Sequence, residues 1–134
     1  MTPLENYRMK LSPISIAAGT SLAAGLFWGG WAFISNINAE NVWASTGAQF
    51  LCTVSMTSLV TLTVSKLNSS MHGKIRRIVA PAAIASILAT LVLLLVHYSV
   101  GTDNLLLTIS APSLLGFAFS LFYSYSLTSG SLGK

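Results

Sequence analysis

The side chains best equipped for chemistry in this chain are amides, hydroxyls and one imidazole, and most of them fall inside apolar segments. Gln49, Thr53, Thr57, Thr61 and Ser65 recur every four residues. At roughly 100° per residue, that step lays them along one slowly spiralling face of a helix. Serine and threonine can return their hydrogen bonds to the carbonyl one turn earlier, so the hydroxyls by themselves need no ligand. Gln49 is more demanding. Its amide offers two donors and an acceptor that its own helix cannot satisfy, so it needs a partner on another helix, another subunit, a water or a solute. Gln49, Thr53, Thr57 and Thr61 are therefore the candidate polar intramembrane stripe. The opposite sector, with Ala48, Leu51, Cys52, Leu59 and Leu62, is the expected lipid face. His97 is the one acid–base residue inside an apolar segment. Beside Tyr98, near the segment's end, it reads as an interfacial anchor wetted from the membrane surface.

What is missing narrows the chemistry further. No carboxylate falls within the apolar segments, so the acidic relay of a proton-coupled transporter is absent. The serines have no nucleophile-elbow context, and an enzyme is not expected. His72, His97 and Cys52 lack company at ligand spacing, so neither a metal nor a cofactor is expected. Cys52 is the only cysteine and reads as a small apolar filler. The formal charge of +4 comes from residues flanking apolar segments, which gives no support to nucleic-acid binding.

The elements that must position these residues are four apolar stretches, about 13–35, 45–66, 78–100 and 105–127. Each meets the roughly 20 residues that a helix needs to cross a hydrocarbon core. Backbone hydrogen bonding in lipid leaves helices as the form such segments take. A composition of 53% hydrophobic and 7% charged residues agrees. The expected fold is all-α: one polytopic membrane domain, a bundle of four transmembrane helices arranged as two parallel-oriented hairpins. The first stretch is too long for a signal-peptide core, and Trp28 and Trp31 near its end support a span.

Charge placement gives the direction. Arg8 and Lys10 precede the first span; Lys66, Lys74, Arg76 and Arg77 lie between the second and third; Lys134 ends the chain. The other two connections carry only the acids Glu40 and Asp103. By the positive-inside rule, both termini and a basic loop, 67–77, are cytoplasmic. Lys74, Arg76 and Arg77 are the expected contacts to lipid headgroups. Trp28, Trp31, Trp43 and Tyr98 mark one headgroup level, and Tyr7, Tyr123 and Tyr125 the other.

Small residues recur at steps of four in three spans: Ala17, Ser21, Gly25 and Gly29 in the first, Ala82, Ser86 and Thr90 in the third, and Gly116, Ser120 and Ser124 in the fourth. They serve as helix-packing seams, either within one subunit or between subunits. Pro81 is expected in the first turn of its helix, where it costs nothing. Pro112 falls inside the fourth span and frees a carbonyl for a hydroxyl such as Ser113, or for a neighbouring helix, to satisfy. Aligning Asn41 with Asn104 also sets Ser45 against Thr108 and Ala48 against Ala111, the trace of a parallel repeat.

The first hairpin, through Trp28-x-x-Trp31-Ala32-x-x-x-Asn36 followed by Gln49 and Ser55, resembles small four-span bacterial inner-membrane proteins that carry no assigned activity. The small multidrug antiporters are a different case, since residues 13–35 lack the carboxylate central to them. The resemblance covers the first hairpin and brings no activity; small size and economical loops give the expectation of a bacterial inner membrane. The expected role is a non-enzymatic accessory or self-associating subunit, its partners the lipid bilayer and a second copy or another membrane protein. The alternative is an oligomeric translocator of a lipid or small amphipathic solute.

Overall fold

The computed structural model describes residues 13–131, which form four antiparallel helices: α1 Pro13–Ser35, α2 Val42–Ser70, α3 Lys74–Ser99 and α4 Leu105–Ser131. Tyr7, Arg8, Lys10 and Lys134 lie outside the described residues, as does the side chain of Ala17. The all-helical fold agrees with the expectation. Three helices, α2, α3 and α4, are long and apolar enough to cross a membrane. α1 carries no charge over its 23 residues.

The burial pattern is inverted relative to a water-soluble bundle. Asn36, Ser45, Gln49, Asn68, His97, Thr108, Ser120, Ser124 and Thr128 are buried, while Leu26, Ile34, Leu51, Leu95, Leu106 and Phe122 are exposed. In water this would forfeit the hydrophobic driving force. In a bilayer it is the arrangement that places lipid against apolar side chains and gathers polar groups where they satisfy one another. The fold is consistent with an integral membrane protein.

Helix ends differ from the hydropathy boundaries. Residues 67–77 are not a loop: Leu67 to Ser70 end α2, and α3 starts at Lys74. Hydropathy detects where apolar character stops, whereas the backbone ladder continues until Met71 turns extended and Gly73 adopts φ 86°, a glycine conformation. Pro81 consequently lies inside α3 instead of in its first turn. A proline there removes the N–H that would reach the carbonyl of Arg77. That carbonyl is recovered by other helices, accepting from Asn68 Nδ2 of α2 at 2.7 Å and from Ser124 Oγ of α4 at 2.7 Å. Asn68 Nδ2 also reaches Thr128 Oγ1 at 2.8 Å, and its Oδ1 accepts from the Arg77 guanidinium at 3.2 Å. Three helices are tied there, at the end of the bundle that holds the Met71–Gly73 connection.

The opposite end, where the 36–41 and 100–104 turns lie, is tied reciprocally. Asn41 Nδ2 donates to Gly101 O at 3.2 Å, and Asn104 Nδ2 donates to Ser35 O at 2.6 Å. One turn into each following helix, Ser45 Oγ meets Thr102 Oγ1 and Thr108 Oγ1 accepts from Asn36 Nδ2. Each hairpin thus offers an Asn and a hydroxyl to the other's turn, as a two-fold relation between hairpins requires. This geometry gives the Asn41/Asn104 and Ser45/Thr108 alignment a physical basis.

The small-residue row of α1 packs inside the chain. A Cβ on Gly25 would lie 2.8 Å from Val54 Cγ2 and 3.0 Å from Phe50, and one on Gly29 would lie 3.5 Å from both Phe50 Cβ and the Thr46 carbonyl. This glycine pair is therefore filled by α2, not held open as a seam for a second subunit. On α4, Ser120 and Ser124 are also turned inward and buried. Gly116 faces open space.

Candidate functional site

Gln49, the residue whose amide needs a partner, finds it on α3. Its Oε1 lies 2.8 Å from His97 Nε2, and both side chains are fully buried. His97 is therefore not wetted from the surface. The reason is local. Gly101, at φ 68°, closes α3 as a left-handed cap, with Gly101 N–H donating to Tyr98 O and Thr102 N–H to His97 O. This closure folds Thr102 back over the helix end and sets its Oγ1 2.8 Å from His97 Nδ1.

The direction of the hydrogen bonds follows from donor counting. Thr53 commits its hydroxyl proton to Gln49 O at 2.8 Å, so its oxygen accepts from Gln49 Nε2 at 3.2 Å. The Gln49 amide is thereby oriented with Oε1 toward His97, and an acceptor there requires the proton on Nε2. In the neutral imidazole Nδ1 then accepts from Thr102, whose oxygen in turn accepts from Ser45 at 3.0 Å. The chain Ser45, Thr102, His97, Gln49, Thr53 runs in one sense across α2 and α3, and its members are satisfied by one another. It holds the two helices in register.

The rest of the stripe is satisfied within its own helix. Thr57 donates to Thr53 O at 2.7 Å and Thr61 to Thr57 O at 2.8 Å. Ser65 instead meets Tyr123 Oη at 2.9 Å.

Below this network the helices enclose a half-open cavity of about 380 Å³, lined by residues of all four. Gln49, Cys52, Thr53, Met56 and Thr57 come from α2, with Ser86, Thr90 and Leu93 of α3 opposite. Trp28, Ala24 and Thr20 of α1 and Ser113, Leu115, Gly116, Phe119 and Ser120 of α4 complete it. Cys52 is thus on the chamber wall and not on the lipid face, unlike Leu51, Leu59 and Leu62, which are exposed. The chamber exists because, among the described residues, α1 and α3 make no close approach. The hydrogen bonds between α1 and α4, among them Trp31 Nε1 to Leu107 O at 3.2 Å, cluster at the turn end. Farther down, Thr20, Leu115, Gly116 and Phe119 are exposed and form a sideways mouth.

Two polar atoms stand out. Ser86 Oγ and Ser113 Oγ are buried and meet no hydrogen-bond partner among the described residues, and both residues line the chamber. Ser113 therefore does not serve the carbonyl that Pro112 releases. Among the described residues the lining holds no charged group, and no three His, Cys, Asp or Glu side chains gather as metal ligands. Lys74 and Arg76 are exposed at the other end of the bundle, whereas Arg77 turns inward and its Nε donates to Asn68 O at 3.1 Å.

The sequence reading missed Asn36 and Asn68 as buried ties. Pro81 was the signal for Asn68, since a proline inside a helix demands a foreign donor for the carbonyl four residues earlier. Comparison with family models, curated proteins and solved structures returns no match, so the chamber and its polar network are the grounds on which a function must be argued.

Proposed function

We propose that this chain is a four-span protein of a bacterial inner membrane, both termini cytoplasmic, that holds and translocates a lipid or small amphipathic solute without catalysing a reaction on it. The observation that carries the reading is the chamber of about 380 Å³ built from all four helices and open on one side. That volume is at the lower end for small-molecule sites, roughly 300–1,000 Å³. Uncharged α1 supplies the fourth span, its 23 residues reaching about 35 Å. The basic residues near one end of the bundle support the orientation. A self-associating accessory subunit is the weaker reading, because Gly25, Gly29, Ser120 and Ser124 are used inside the chain.

Gly116→Phe tests the reading. A Cβ at Gly116 meets nothing within 4 Å, so the ring can enter the chamber without displacing backbone. Native mass spectrometry of protein extracted in mild detergent is expected to show a small apolar adduct on the wild type and, for an affinity lowered at least tenfold, a clearly smaller adduct fraction on the variant. Equal adducts on both would contradict a ligand in this chamber.

A further inference from the structure

The two unpaired serines say more about the ligand than the chamber's size does. Thr53, Thr57 and Ser120 all return their hydroxyl protons to the carbonyl one turn earlier. Ser86 and Ser113 have the same option on their helices and do not take it. A buried hydroxyl left unmade is costly, and it is explained most simply when a second molecule completes it. The rest of the wall is mostly carbon, with the Gln49 amide, the Trp28 indole and a few hydroxyls but no charge among the described residues, so a charged group placed there would lose its hydration with no counter-charge.

Resting on the reading of the chamber as a ligand site, we infer that its ligand is an uncharged single-chain lipid whose hydroxyl or carbonyl head is held by Ser86 and Ser113, each hydroxyl turning from its sealed position to face the chamber. The molecule enters from the bilayer through the mouth between α1 and α4, where Leu115 and Phe119 are exposed. If a methylene takes about the space of one water, roughly 30 Å³, the cavity holds about a dozen chain atoms. One chain fits and two do not. An alcohol head can donate to one serine oxygen and accept from the other serine's hydroxyl, whereas a carbonyl head only accepts, from either or both; the two serines can serve both kinds.

The probe is 12-bromododecan-1-ol, whose bromine quenches tryptophan on contact, read on the full chain in lipid nanodiscs. Trp28 lines the chamber, while Trp31 and Trp43 do not. The chamber signal is the saturable quenching that Gly116→Phe removes. The alcohol is expected to bind about tenfold more tightly than 1-bromododecane or 12-bromododecanoate. The double variant Ser86→Ala/Ser113→Ala is expected to lose about that tenfold for the alcohol and to leave 1-bromododecane unchanged. Equal affinities for the three probes, or an alcohol affinity indifferent to the two serines, would overturn the head-group assignment while the chamber stands. Quenching that persists in full in Gly116→Phe would overturn the chamber reading itself.

Discussion

Asn68→Ala is expected to lower the unfolding free energy by about 2–4 kcal/mol, measured by titrating detergent-solubilised protein with a denaturing detergent. A single interhelical hydrogen bond in a membrane averages only about 0.6 kcal/mol, which by itself would predict a mild effect. Asn68 differs because one side chain serves α2, α3 and α4 together and is itself buried. Its loss leaves the Arg77 carbonyl, already deprived of its helical donor by Pro81, with Ser124 alone, and removes an acceptor from the Arg77 guanidinium. Pro81→Ala restores a main-chain donor to that carbonyl. Asn68→Ala should therefore cost about 1 kcal/mol less in the Pro81→Ala background. Additive effects of the two changes would refute the link between proline and clasp.

His97→Ala is expected to be comparably severe, about 3 kcal/mol, with the damage concentrated at the turn end. It strands the Gln49 carbonyl oxygen, deprives Thr102 of its acceptor and leaves a void where a fully buried ring stood. His97→Gln offers an amide donor to Gln49 and should recover part of the loss. Hydrogen exchange locates the effect: amides of 100–104 should lose protection, while those around Asn68 keep theirs. Uniform loss along the chain would show that the network does not tie the turn specifically.

The membrane helices were legible because apolar length and the absence of charge are local properties of the sequence. The inward direction of the Gln49 stripe was legible for the same reason, since a side-chain amide cannot face lipid without a partner. The partner itself was not, because His97 is 48 residues away in sequence and is brought to Gln49 only by packing of α2 on α3. Its position near the end of an apolar stretch reads as interfacial, and only the Gly101 closure with Thr102 folded over it makes that end dry. The clasp was hidden by a boundary error. Once 67–77 is taken as a loop, Asn68 appears solvated and Pro81 appears harmless. Gly25 and Gly29 show a different limit: a small-residue row declares that something packs closely, and the Phe50 ring that fills it must be found in three dimensions.

On the proposed reading a chamber within the bundle opens sideways into the bilayer, and Cys52 on its wall is a natural probe of that opening. A nitroxide attached to Cys52 in lipid nanodiscs reports its collisions with oxygen, which concentrates in hydrocarbon, and with a water-soluble nickel chelate. A chamber open to lipid gives frequent oxygen collisions, few with nickel, and a marked fall in oxygen collisions in Gly116→Phe. A nitroxide that meets the nickel chelate freely, or one that oxygen cannot reach before Gly116 is changed, would contradict it.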